Sequence, residues 1–132
     1  MKLEKRELFL DLHLHSRYSR AVSSQMVPGE MALWAAKKGI DVLGSGDFTH
    51  PLWLRQLESE FEESGEGVYC RRGGEKKEKT VNFLLSGELS CIYSQGGRTR
   101  RIHLLVLVPN FNVAYKINQE LEKRGFNLAS DG

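Results

Sequence analysis

Residues 8–15 read Leu-Phe-Leu-Asp-Leu-His-Leu-His, and the fold turns on how this stretch is extended. As a β-strand it puts Leu8, Leu10, Leu12 and Leu14 on one face and Phe9, Asp11, His13 and His15 on the other, because side chains alternate along a strand. Two imidazoles two residues apart on one face can aim ring nitrogens at a single point, as a divalent cation requires. A bare His-x-His pair also occurs in ordinary strands whose histidines are simply hydrogen-bonded, so the rest of the chain has to decide.

The 132 residues fit one domain, 1–132, large enough to bury a core, and 40% hydrophobic with 27% charged residues is a globular composition. No apolar run approaches the ~20 residues that cross a bilayer, so no membrane partner is expected. The N-terminus mixes acids and bases without an apolar signal segment, which makes the cytoplasm the expected location. Cys70 and Cys91 are too few for a disulfide framework and are expected to be free. A net charge of +2 predicts no nucleic-acid partner by itself. Two local basic runs, Arg71, Arg72, Lys76, Lys77 and Lys79, then Arg98, Arg100 and Arg101, suit either solvated loops or a phosphate backbone.

Pro28 opens a helix that runs to about Lys38 and stops at Gly39. Residues 40–43 read as a buried strand leading into Gly44-Ser45-Gly46-Asp47-Phe48-Thr49-His50-Pro51, which completes a βαβ unit with parallel strands. A second helix is expected from Leu52 to about Glu63, with Leu54, Leu57 and Phe61 on its apolar stripe. Residues 68–70 suggest a short strand and 71–80 an exposed loop. Residues 81–93 look strand-rich but interrupted at Ser86-Gly87-Glu88, and a carboxylate in such surroundings needs a cation or a salt bridge to a nearby arginine. Gly96-Gly97 turns the chain into a hairpin over about 91–106, with the returning strand at 100–108. Asn110 or Asn112 caps a last helix carrying Val113, Ile117 and Leu121 and ending at Gly125.

His13, His15, Asp47, His50, Glu88 and His103 are thus nitrogen and oxygen donors near strand ends, where parallel α/β folds gather their functional groups. Mixed imidazole and carboxylate donors suit zinc or manganese, with magnesium as a further candidate, and a carboxylate such as Glu88 can bridge two ions. Arg17 and Arg20 follow the histidine pair and have the fork geometry that suits a phosphoryl group, though loop arginines are often only solvated. The chemistry is that of a metal-dependent phosphoesterase.

The motifs DLHLHSRYS, GSGDFTHP, SGELS and RRIHLLVLVP, in that order, resemble the N-terminal portion of a PHP (polymerase and histidinol phosphatase) domain, and within that family endonuclease Q. The resemblance implies an α/β fold, the N-terminal half of a distorted (β/α)7, TIM-like barrel with a multinuclear metal centre. It matches His13 and His15 to the first motif's ligands, Asp47 to the second motif's acid, Glu88 to the bridging carboxylate and His103 to the histidine after it. Phe48 stands where the second motif usually has histidine, and the resemblance implies His50 as its substitute. Implied with this are DNA as partner and nicking beside deaminated bases.

The family's later ligands, a further histidine and an Asp-x-His, have no counterpart, since the chain's four histidines are already assigned. The chain by itself is therefore expected to be inactive or weak, and its unpaired strand edges to favour self-association. Two other readings stay open: a small-molecule phosphatase of the histidinol-phosphate type, and a non-catalytic PHP remnant serving as an interaction module.

Overall fold

The structure, a computed structural model, describes residues 6–73 and 80–129. Lys76, Lys77 and Lys79 of the first basic run lie outside the described residues. In chain order the elements are β1 (Leu10–Asp11), α1 (Pro28–Lys38), β2 (Val42–Gly44), α2 (Pro51–Glu60), β3 (Phe61–Gly65), β4 (Val68–Arg71), β5 (Asn82–Gln95), β6 (Arg98–Val108) and α3 (Phe111–Lys123). The strands form one mixed sheet in the order β1-β2-β5-β4-β3, with β6 paired to β5.

The helix at Pro28–Lys38 matches its expected limits, because both signals are local. Proline's fixed φ suits the first turn, and Gly39 at φ 76° supplies the left-handed turn that ends it. From there the chain returns parallel: β1 pairs β2 at Leu10↔Val42, and β2 pairs β5 at Val42↔Asn82, so three neighbouring strands run in one direction. β3, β4 and β6 join them antiparallel. Among the described residues this is a mixed α/β sheet with three helices.

Three expectations are corrected. The strand over 8–15 keeps only two ladder residues, and Leu8 and Leu10 are 47% and 52% exposed, so no continuous oily face forms. The cause lies in β2. A Cβ on Gly44 would meet the Leu12 carbonyl oxygen at 2.2 Å, and one on Gly46 would meet the Leu14 oxygen at 2.3 Å. The histidine segment thus crosses the end of β2 closer than a regular ladder's ~4.8 Å strand spacing would allow, and only glycine permits it.

The second helix stops at Glu60 rather than about Glu63. Phe61 leaves it for β3, where its ring lies 4.7 Å from that of Phe83 and 6.3 Å from that of Tyr69. Burying an aromatic ring is worth about 1.5–3 kcal/mol, more than another helical residue would return. Residues 86–88, expected to interrupt a strand, lie within β5. Gly87 fits there because a Cβ would press on the Phe48 ring at 2.8 Å.

The core beneath the sheet gathers Phe48, Trp53, Leu54, Leu57, Phe61, Phe83 and Leu85, all at most 1% exposed. Polar pins hold the end of β2 against it. Trp53 donates Nε1–H to the Gly46 carbonyl (2.9 Å), Gly46 N–H donates to Ser86 Oγ (2.9 Å), and Ser86 N–H donates to Ser45 Oγ (3.0 Å). Asn110 caps α3, accepting from Val113 N–H at 2.9 Å. That helix buries Ala114 and Asn118 more deeply than Val113, Ile117 and Leu121, and Asn118 donates to the Phe48 carbonyl at 3.0 Å. These bonds fix the loop that begins at Asp47. Cys70 and Cys91 are free thiols, and no described helix is long and apolar enough to cross a membrane.

Candidate metal centre

The three parallel strands end on the same side of the molecule, and the chemistry-bearing side chains follow those ends. His13 and His15 come just after β1, Asp47 just after β2, and Glu88 lies beyond the part of β5 that pairs with β2. His103 arrives from β6, whose register places it opposite Ser90, two residues along from Glu88 on the same face.

Glu88 is the hub. Its Oε2 contacts His13 Nε2 and lies 3.2 Å from His15 Nε2, while its Oε1 contacts His103 Nδ1. One donor atom each from His13, His15 and Glu88 falls within 4.8 Å of the others. Hydrogen bonds from His13 and His103 pull the Glu88 carboxyl below the usual carboxylate range, outweighing the opposite push of burial.

Asp47 stands behind His15, its Oδ1 lying 3.2 Å from His15 Nδ1. A carboxylate only accepts, so in this contact Nδ1 donates, and the other ring nitrogen, Nε2, is the one that faces Glu88. The other Asp47 oxygen accepts from Ser16 N–H and Ser16 Oγ, both at 2.6 Å, and from Ser19 Oγ at 3.0 Å. Asp47 itself takes φ 47°, a left-handed conformation unusual outside glycine. With that many bonds on one carboxylate, its orientation is fixed.

These donors fit a cation. Two ligands of a tetrahedral zinc, each ~2.1 Å from the ion, stand about 3.4 Å apart, close to the separation of His15 Nε2 from Glu88 Oε2. A ring nitrogen and a carboxylate oxygen at this separation are joined by whatever cation lies between them, a proton or a metal ion. The donors are nitrogen and oxygen with no thiolate, which suits zinc or manganese.

His50 is in the neighbourhood but not in this group. Its ring stacks on Tyr18 at 4.4 Å, and burial lowers its pKa against the opposing pull of Asp47. Its Nδ1 is buried without a hydrogen-bond partner among the described residues. His50 and Tyr18 line a cavity of about 570 Å³ together with His15, Asp47, Glu88 and His103, and Leu121, Phe126 and Leu128 add apolar lining. Arg17 and Arg20 do not line it. Arg17 is exposed and donates to the Tyr18 hydroxyl at 3.1 Å, and Arg20 is also exposed.

Sequence reasoning missed Ser16 and Ser19, which clamp Asp47, and Tyr18, which covers His50. Ser-x-x-Ser directly after the histidine pair was the available signal, but its meaning depends on where Asp47 lies.

The fold and site together define a mixed α/β protein with a histidine–glutamate centre, able to hold a cation, at the C-terminal ends of its parallel strands. In structure the chain is similar to endonuclease Q. It matches the lesion-specific endonuclease of Pyrococcus furiosus with a TM-score of 0.73 and 25% identity, over 94% of this chain and 28% of that one. It also matches an endonuclease Q complex with a 27-mer duplex substrate bearing an abasic lesion at the active site, at TM-score 0.73 and 28% identity, over 93% of this chain and 28% of that one. An uncharacterised protein of Methanocaldococcus jannaschii is 24% identical over 123 residues, covering 93% of this chain and 12% of that protein. No protein-family profile matches. The chain thus spans under a third of each of these relatives.

Proposed function

We propose that this chain carries the metal-binding portion of a DNA phosphodiesterase of the endonuclease Q type, one that nicks DNA beside deaminated bases. The observation that carries the reading is the convergence of His13, His15 and His103 on Glu88, in a chain that follows endonuclease Q over 94% of its length. The bound cation, zinc or manganese, would act as a Lewis acid on a phosphoryl oxygen and supply a nucleophile near neutral pH. His13, His15 and Glu88 would hold it, with His103 on the second Glu88 oxygen placed for a shared or second ion. Asp47 would orient His15 and keep its proton on Nδ1. Arg17 and Arg20, exposed beside the cavity, would meet substrate phosphate. His50, half-buried with an unpartnered nitrogen, would be a further ligand or hydrogen-bond partner within the cavity.

The open sheet corresponds in this proposal to the first strands of a distorted (β/α)7 PHP barrel, and the chain to a single domain working on DNA in the cytoplasm. The endonuclease Q resemblance includes later ligands that this chain lacks, so incision by the 132 residues alone is expected to be weak.

Elemental analysis after equilibration with zinc or manganese tests the reading. The wild type should retain at least one ion per chain, and Glu88→Gln should lose most of it, since removing a ligand costs more than the roughly 10- to 100-fold of an outer-shell partner. A wild type that holds no metal at neutral pH overturns the proposal. Alongside it, a duplex carrying deoxyuridine should be nicked slowly by the wild type and not at all by Glu88→Gln.

A further inference from the structure

β5 and β6 do not stop at the metal centre. Their pairing continues from Leu85↔Val108 to Gln95↔Arg98, and from Ile92 to Leu105 every residue is exposed. This is a two-stranded ribbon whose tip lies about 17 Å beyond Ser90, at ~3.4 Å per residue. Gly96 and Gly97, at φ 58° and 72°, form the two-residue turn that suits such a ribbon's twist.

The two faces of the ribbon differ. Residues directly opposite in the ladder share a face, so the face that carries Glu88 and His103 continues outward through Ser90, the Ile92–Arg101 pair and the Ser94–Thr99 pair. Apart from Ile92, each of these side chains donates hydrogen bonds, and Arg101 adds a fixed positive fork. Tyr93, Arg98 and Arg100 belong to the opposite face. From Leu89 to Gln119 the sequence has no acidic residue. Arg98, Arg100 and Arg101 form no ion pair with any described residue, so their charge is not spent internally.

Resting on the function proposed above, we propose that the metal-bearing face of the β5–β6 ribbon is a track for the DNA backbone, with Arg101 anchoring a phosphate next to the one at the metal centre. Arg101 is two residues from His103 on the same face, about 7 Å along the strand, so a strand running down this face reaches the cluster without turning. Guanidinium forks and hydroxyls are groups that contact phosphate and carry no base preference, so the ribbon positions the substrate and leaves lesion recognition to the cavity.

Fluorescence anisotropy with a labelled duplex, over about 50 to about 200 mM salt, tests this. Arg101→Ala should weaken binding about tenfold and lower the salt slope by roughly 0.9, the contribution of one phosphate contact. Arg101→Lys should restore the slope, and Arg100→Ala, on the opposite face, should change affinity by less than half as much. Zinc titration of each variant reports whether the folded site is retained. If the wild type binds the duplex and Arg101→Ala binds it equally well, or Arg100→Ala costs as much, the track is overturned while the function above stands. If the wild type binds metal but no duplex at low salt, the DNA reading falls and the track with it.

Discussion

Asp47 shows how little of a residue's role is written in its type. Its carboxylate suggests a metal ligand, and its place after a strand end supports that; in the structure its oxygens also accept from Ser16 and Ser19 and face the far nitrogen of His15. The consequence is measurable. Asp47→Asn keeps the size but can present an N–H where a carboxylate accepted, freeing His15 to turn or change tautomer. Zinc affinity by calorimetry should fall about 10- to 100-fold, the usual cost of losing an outer-shell orienter, with secondary structure unchanged by circular dichroism. An unchanged affinity would remove Asp47 from the site. His13, His15, Glu88 and His103 could be picked out by donor chemistry and motif order. The clamp on Asp47 could not, because it needs a positive φ and a crossing of two chain segments that no spacing rule encodes.

Elements were legible where their limits are set by neighbours in sequence, and illegible where packing sets them. Pro28 and Gly39 bound one helix locally, whereas Pro51–Glu60 ends because Phe61 is drawn into an aromatic cluster brought together by distant strands. The same holds for the tie between α2 and α3, in which the Tyr115 hydroxyl donates to Glu58 at 2.6 Å. Burial and that carboxylate push the Tyr115 pKa up to about 12, from an ordinary value of 10.0. The folded state therefore favours the neutral phenol. Its contribution is complete below pH 10 and is lost as pH rises through about 12. Tyr115→Phe should destabilise the protein by about 1 kcal/mol at neutral pH, the net worth of one partly solvated hydrogen bond. Urea unfolding of both proteins should show that gap closing only in the alkaline window. A gap that stays constant across the alkaline window would mean that ionisation of this hydroxyl is not coupled to folding.

At the scale of the whole molecule, the features hardest to reconcile with an isolated chain are its apolar faces. Ile102, Leu104, Leu105 and Leu107 are each 41–49% exposed along β6, which pairs only with β5 among the described residues, and Leu8, Phe9 and Leu10 are exposed beside β1 at the edge of the sheet. A strand with bare leucines on both faces and an unpaired edge is a template for another polypeptide. The solved structures it resembles are more than three times as long. For these 132 residues expressed alone, the available cover is a second copy. Sedimentation velocity over rising concentration should then show dimers or larger species. Leu104→Lys and Leu107→Lys, one on each face of β6, should separate the contributions of the two faces. At least one should return the chain to monomer, because enclosing an unpaired ammonium in an apolar interface costs more than burial of the leucine stabilised. A chain that stays monomeric at every concentration would show that the exposed leucines form no adhesive surface, and association through the open sheet would be wrong even if the metal centre is right.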